Sequence, residues 1–597
     1  MRSLFVLNKY FWKYRLELGA GLVFVLLSNW FRIQQPQLVR QALDAVVAQL
    51  KTLDARGALH TGLSAAEVQT LGSSLSYFGL LVLGCALLMG VFMYFMRQMI
   101  IVMSRRIEFD QREELFAHFT QLPTAFYKRN KIGDLMSRMV EDVNKVRMYV
   151  GPAIMYFINT VSLFAFVIYS MVKVSPTLTL WALLPLPFLA MAIFRVSSLV
   201  NRQSRAVSEQ LSTLTSTVQE AYSGIRVLKS YAIEETMATY FGGESEEFKK
   251  RSLRRAQTDA FFSPLITLLI GLSTIIAVWA GGLEVIAGRV TIGNIAEFVL
   301  YVGMLAFPVI SLGWLASLVQ SAAASQKRIN EFLNITPDIE SPAAANAVTT
   351  AIKGSIEFRN VSFTYPDTGI VALKNVSLTL RAGEKLAIVG RTGSGKTTFA
   401  ELLNRMYDVT EGEILIDGID IRRYHLPTLR SAIGYVPQDV FLFSDTIHNN
   451  VAFGVTAAER EAVEMYTERA GIVEEIRALP QGFDTIIGER GVTLSGGQKQ
   501  RTAIARALIK QPAVLLLDDS LSAVDTRTEQ RILDYLGREM HDRTTIVVTH
   551  RVHFLHSFDQ VIVLEQGQVV EQGKPADLAA AGGYYAELIE RQQLEEV

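Results

Sequence analysis

Apolar positions are spread unevenly along the chain: long runs fill the first 325 residues, and short runs broken by polar and glycine-containing stretches occupy the rest. A bilayer crossing takes about 20 predominantly apolar residues. Six segments meet that length, at residues 18–46, 75–103, 150–172, 178–198, 264–286 and 292–319. The stretch from Phe5 to Tyr14 is too short to span, and its aromatics interleaved with Lys9 and Lys13 suit a helix lying in the interface ahead of the first span. The pattern predicts an α-helical, multi-pass membrane domain over residues 1–333.

Basic residues are as uneven as apolar ones. The connection between spans two and three carries ten Lys and Arg from Arg97 to Arg147, and the one between spans four and five, from Arg195 to Arg255, is similarly basic. The other connections hold only Lys51 and Arg56, Lys173, and Arg289. The positive-inside rule therefore places both long connections and both termini in the cytoplasm. Each long connection reads as a helix running about 25 residues out and 25 back, roughly 37 Å at 1.5 Å per residue. The tips, at residues 126–138 and 223–231, hold aromatics and glycines (Phe126, Tyr127, Gly133; Gly224, Tyr231) and are expected to dock on something beyond the membrane.

Polar residues within spans mark functional candidates. Asn29, Arg32, Gln34 and Gln35 cluster in span one and Glu297 lies near the start of span six. They are expected to line a polar passage, with the alternative that Glu297 sits hydrated at the outer interface and Arg32 snorkels. Pro36, Pro185, Pro187 and Pro308 are positions where spans could kink.

After residue 333 the pattern changes. Residues 334–354, with their Pro, Ala and Ser, read as a linker, and residues 355–597 alternate short strands (355–358, 376–380, 385–389) with helical stretches, which predicts an α/β domain. Gly390, Thr392, Gly393, Ser394, Gly395, Lys396, Thr397 and Thr398 follow a strand and open a helix, the setting of a phosphate-binding loop. The glycines let backbone N–H groups turn toward phosphates, Lys396 can reach the outer phosphates, and the Thr397 hydroxyl can ligate Mg²⁺. The four apolar residues from Val514 to Leu517 run into Asp518 and Asp519. That reads as a central parallel strand with a metal-binding carboxylate, Asp518, at its carboxyl end and a second acid placed to activate water. Ser495, Gly496, Gly497 and Gln498 begin a further helix whose amino end offers a second anion site, so one domain holds two half-sites. That is the arrangement expected if two such domains sandwich nucleotides between them, each supplying a loop to the other.

Composition removes some classes. Equal numbers of Lys+Arg and Asp+Glu, 58 each, give no global charge to favour nucleic acid. Cys85 is the single cysteine, so no intrachain disulfide forms. The first residues carry no cleavable-signal pattern, since Lys9, Lys13 and Arg15 interrupt them before any long apolar core.

Over nearly its whole length the chain resembles half-transporters of the ATP-binding cassette exporter family, six spans fused to one nucleotide-binding domain. The resemblance rests on the phosphate loop, the signature motif Leu494 to Gln498 and the strand ending in Asp518. It implies further roles: Gln438 as the Q-loop residue contacting metal and water, Ser522 to Asp525 as the D-loop, His550 as the switch histidine, and Tyr365 as the aromatic stacking on adenine. The two basic tips resemble coupling helices. ATP and Mg²⁺ are the implied cofactors, a second half-transporter and membrane lipids the implied partners, and a bacterial inner membrane the implied location.

One residue departs from the family pattern. Where the family usually has glutamate after the metal-binding aspartate, this chain has Asp519, a carboxylate withdrawn by one methylene, roughly 1.5 Å. A misplacement of about 1 Å can cost 10²-fold in rate. With an intact signature motif, the resemblance then points to one half of a heterodimeric exporter of drugs, lipids or peptides, slow at its own site. Alternatives are a homodimeric exporter with slow ATPase and an ATP-gated channel or regulator.

Overall fold

The computed structural model describes residues 2–55, 65–343, 347–456, 458–488, 494–520, 532 and 543–595. Contacts divide the chain into two compact units: Met1–Phe119 with Gly133–Ile335, and Thr120–Ile132 with Thr336–Val597.

In the first unit a short helix, α1 (Asn8–Lys13), precedes the first long helix α2 (Arg15–Ala55), which is followed by α3 (Ala65–Gln121). Lys9 pairs with Glu114 at 2.6 Å and Lys13 with Asp110 at 2.7 Å, so the basic residues that suit α1 to an interface also fasten it to α3. Six helical runs are long and apolar enough to cross a membrane, within residues 15–52, 68–121, 132–174, 176–223, 234–286 and 292–333. They contain all six expected spans, and several extend far past them as polar helix. The tip after α3 is α4 (Thr124–Arg129), which belongs to the second unit, and the return path runs through α5 (Ile132–Ser137) and α6 (Val143–Met148), between which Arg138–Asp142 is π-helical, to α7 (Ile154–Val174).

Prolines act differently by position. The fourth crossing breaks into α8 (Pro176–Leu183) and α9 (Leu186–Ser223), with Pro185 and Pro187 at the start of α9, where a missing N–H costs least. Helix α10 (Ile225–Ser230) forms the second tip, followed by α11 (Glu234–Ala260), α12 (Phe262–Ile286) and α13 (Ile292–Leu333). Pro36 and Pro308 lie inside α2 and α13, which run on without a break.

Two of the polar span residues are committed to helix packing. Asn29 is buried and donates from Nδ2 to Ser162 Oγ at 2.7 Å and to the Asn159 carbonyl at 3.2 Å. Glu297 is not hydrated at an outer interface: it is fully buried, accepting from Tyr301 Oη at 3.0 Å, Asn294 Nδ2 at 3.3 Å and Arg40 Nη1 at 3.3 Å. Sequence placed it near a helix start, but α2 and Tyr301 fold over it, and a buried carboxylate needs such partners. Gln35 faces Met89 Sδ at 3.8 Å, and Arg32 is half-buried.

The second unit holds two sheets. β1 (Ile356–Thr364), β2 (Val371–Leu380), β4 (Glu411–Ile416) and β5 (Ile419–Asp420) form an antiparallel sheet in the order β2-β1-β4-β5. The larger sheet runs β10-β9-β3-β8-β7-β6, built from β3 (Lys385–Gly390), β6 (Ile433–Val436), β7 (Val514–Asp518), β8 (Thr544–Val548), β9 (Gln560–Glu565) and β10 (Gln568–Gly573). Strands β9, β3, β8, β7 and β6 are mutually parallel, and β10 closes the edge antiparallel to β9. Every residue of β7 and β8 is buried, as expected for central parallel strands covered on both faces. The stretch read as a linker is tied to this unit near its end: Asp417 accepts from the backbone N–H of Lys353 (2.6 Å), Gly354 (3.1 Å) and Ser355 (2.9 Å).

Candidate active site

Parallel pairing alone brings the chemistry together. With β8 between β3 and β7, and β6 beyond β7, the carboxyl ends of four neighbouring strands lead into Gly390, His550, Asp518 and Asp519, and Gln438. Open α/β sheets bind their ligands at this edge. The ends are tied across: Asp519 N donates to the Val548 carbonyl at 2.9 Å and Thr549 N to the Ile388 carbonyl at 3.1 Å.

The loop from Gly390 to Gly395 turns on glycines that no other residue could replace without strain. Gly390 has φ +152°, and a Cβ there would lie 2.2 Å from the Leu564 carbonyl oxygen; Gly395 has φ +104°, and its Cβ would lie 2.5 Å from the Ala372 oxygen. The loop opens helix α14 (Lys396–Leu403). Lys396 is buried and donates from Nζ to the carbonyls of Gly390 (2.8 Å) and Arg391 (2.9 Å). Burial pulls its ammonium below the ordinary lysine range, against the opposing pull of Asp519 and Asp518. Thr392 and Thr397 are exposed, while Ser394 and Thr398 are buried.

Asp518 ends β7 almost without solvent contact, and Thr397 Oγ1 stands 3.5 Å from its Oδ1. Its Oδ2 is buried with no hydrogen-bond partner among the described residues, as are Ser394 Oγ and Ser520 Oγ. Burial pushes the Asp518 carboxyl up to about 6. Buried polar atoms are ordinarily satisfied, so a carboxylate oxygen left open beside an exposed threonine hydroxyl fits a divalent cation, and the glycine cradle with an open Ser394 hydroxyl fits phosphate. Asp519 adopts φ +44°, a left-handed backbone that Asp tolerates better than most residues, and its Oδ2 lies 3.4 Å from Gln438 Nε2. His550 is exposed; partial burial of its ring and the nearby Lys396 hold its imidazole below its ordinary range.

The helix expected to begin at the glycines after Ser495 does begin there. Helix α15 (Gly496–Leu508) is capped by Ser495, whose Oγ accepts from Gln498 N at 3.3 Å while Gln498 Oε1 accepts from Ser495 N at 2.9 Å. Gln498 Nε2 also donates to Glu475 at 2.8 Å, and Arg501 donates to Glu475 and to the Gly471 carbonyl, so the helix end is held in register. Asp525, with Ser522 to Val524, lies outside the described residues.

Sequence reasoning missed Glu401, one turn along α14 from Thr397. Its Oε2 accepts from Tyr365 Oη at 3.1 Å, and Tyr365 Oη is also 2.9 Å from Thr398 Oγ1. Lys128, on the first tip, pairs with Glu401 Oε1 at 3.1 Å and stands over the rings of Tyr365 (5.4 Å) and Tyr407 (5.2 Å). Only helical spacing from the phosphate loop, i to i+4, could have flagged Glu401, because Tyr365 and Lys128 are remote in sequence.

Known proteins carry the same two domains. Residues 18–309 match the ABC transporter transmembrane region and residues 373–522 the ABC transporter family. The multidrug resistance-like ATP-binding protein MdlA of Escherichia coli is 33% identical over 577 residues, 96% of this chain and 97% of the relative. The chain belongs to the ABC exporters, as a membrane domain fused to a nucleotide-binding domain. An ATP-dependent lipid A-core flippase of Aromatoleum aromaticum is 36% identical to this exporter across 82% of the chain and 80% of the relative. A bacterial Atm1-family ABC exporter solved with ATP bound superposes with a TM-score of 0.75 at 27% identity, over 97% of this chain and 98% of that one. The exporter is thus a multi-pass membrane protein of a family that couples ATP hydrolysis to transport and acts as dimers.

Proposed function

We propose that this exporter is the slower-hydrolysing half of an unequal pair that moves amphipathic compounds, drugs, lipids or peptides, out of a bacterial cytoplasm or inner leaflet. The observation that carries the reading is Asp519 at the end of β7, a shortened acid beside Gln438, in a chain whose Ser495-capped signature helix is complete. In this account Lys396, the glycine cradle and Ser394 hold ATP phosphates, Tyr365 stacks on adenine, and Thr397, Asp518 and Gln438 hold Mg²⁺, which would neutralise phosphate charge. Asp519 orients water poorly, His550 contacts the outer phosphate, and Ser495 to Gln498 present their N–H groups to the partner's ATP, with Asp525 beside the shared interface. Sandwiching nucleotide closes the membrane domain on the cytoplasmic side, where both termini and the nucleotide-binding domain lie, and opens it outward. The names of the relatives, a multidrug resistance-like protein and a lipid A-core flippase, support an amphipathic cargo.

Vesicles carrying the chain and its partner with their nucleotide-binding domains outward test export directly. ATP should drive accumulation of an amphipathic fluorescent dye against its gradient, and vanadate should stop it. Passive dye flux on ATP binding, with no accumulation, would establish a gated channel and overturn the export reading.

A further inference from the structure

One stripe of α16 (Tyr584–Glu595), the last described helix, faces the core: Tyr585 is buried, and Leu588 and Ile589 pack against the apolar cluster that holds Val552 and Phe554. Residues three, four and seven apart share a helix face, so the next place on that stripe is residue 592. It holds glutamine, half-buried, where the pattern calls for an apolar side chain. The helix is fixed at its amino end. There Glu571 of β10 accepts from the backbone N–H groups of Tyr584 (2.5 Å) and Tyr585 (3.3 Å), a carboxylate where the helix dipole favours one. The Tyr584 ring also lies beneath the guanidinium of Arg391, in the phosphate loop, at 5.7 Å.

Gln592 spends both halves of its amide on one short piece of backbone. Its Oε1 accepts from Val552 N at 2.8 Å, and its Nε2 donates to the His550 carbonyl. Strand β8 ends at Val548, and past Thr549 the chain has left the sheet, so these two bonds set the path of the loop that carries His550. The His550 ring is exposed, and its place at the site therefore depends on its backbone. Ionised glutamate offers acceptors only and leucine neither group, so the bracket requires the amide. From this geometry we infer that Gln592 is a positioning residue for nucleotide recognition: it holds the His550 backbone so that the imidazole is presented to the outer phosphate, and it ties that loop to a helix that also touches the phosphate loop through Tyr584. The inference rests on the reading of His550 as the residue contacting the outer phosphate, and adds what places the ring.

The test is nucleotide binding by the full-length chain in nanodiscs with Mg²⁺, read by displacement of a fluorescent nucleotide. The non-hydrolysable ATP analogue AMP-PNP is set against ADP, which lacks the outer phosphate. His550→Ala should weaken AMP-PNP by about tenfold, the scale of one hydrogen bond to a charged group, and leave ADP unchanged. Gln592→Leu, which continues the apolar stripe, should reproduce that selective loss. Gln592→Glu, which keeps the length and the Val552 bond but cannot donate to the carbonyl, should show it too. In the His550→Ala background Gln592→Leu should cost nothing further, because both act on one contact. Equal loss of AMP-PNP and ADP in Gln592→Leu would make the residue merely structural and overturn the proposal. Unchanged AMP-PNP binding in either Gln592 variant, or additive losses in the double variant, would overturn it as well. The two readings fail separately: selective loss in His550→Ala with none in Gln592→Leu refutes the bracket alone, whereas no loss in His550→Ala refutes the phosphate contact itself, and with it any placement by Gln592.

Discussion

Asp518→Asn is expected to remove the Mg²⁺-dependent part of ATP binding by this chain, about a hundredfold or near 3 kcal/mol, while leaving the nucleotide-free protein as stable as before or more so. Both halves follow from one feature. The Asp518 side chain is buried and, among the described residues, Oδ2 has no hydrogen-bond partner and Oδ1 has Thr397 alone, so the charged form is poorly solvated until a cation arrives. An amide of the same shape carries no charge to desolvate. Titrating purified protein with a fluorescent ATP analogue, with and without Mg²⁺, and melting it without nucleotide reads both effects. A variant that binds Mg²⁺-ATP normally, or loses stability on the scale of a broken ion pair, about 3–5 kcal/mol, would remove Asp518 from the metal site.

Gly497→Asp should stop hydrolysis by the assembled pair, by at least about 10²-fold, without harming the fold of the chain that carries it. The residue lies in the first turn of α15, which holds no acid of its own. An aspartate there favours the helix through the macrodipole, and Ser495 and Gln498 still cap it. The same carboxylate faces whatever anion the free N–H groups would bind, and repels a phosphate. Since the signature is proposed to serve the partner's competent site, the loss should appear in total ATPase of the purified complex, with ATP binding at this chain's Lys396 site retained. Unchanged hydrolysis would mean that the helix end meets no nucleotide.

Much of the fold was legible in the sequence. Length and apolar run marked the six crossings because a bilayer imposes one requirement on all of them. A glycine-rich loop between strand and helix, and four apolar residues ending in Asp518, marked two edges of the candidate site because their geometry is local. What escaped depends on partners distant in sequence. Asn29 and Glu297 read as lining a passage until Ser162, Arg40 and Tyr301 claim their polar atoms across the helix bundle. Glu401 looked like an ordinary helix carboxylate until Tyr365 and Lys128 were found on it. The stretch 334–354 had a linker's composition, and what fastens it lies far along the chain: Leu426 N donates to Ser341 Oγ, Val348 exchanges backbone hydrogen bonds with Arg423 and His425, and Asp417 accepts from Lys353 and Gly354.

Asp519 sits where geometry and function divide most clearly. Its left-handed backbone and its contact with Gln438 hold the acid at the site, one methylene short of the family's usual reach. The most direct test is total ATPase of the complex purified with its natural partner, comparing Asp519→Ala with the unmodified protein. If the chain is the retentive half of an unequal pair, the rate changes by less than about twofold, because the partner's site does the hydrolysis. If the chain alone forms a stable homodimer whose hydrolysis collapses in Asp519→Ala, Asp519 is a working catalytic base and the unequal-pair account is wrong.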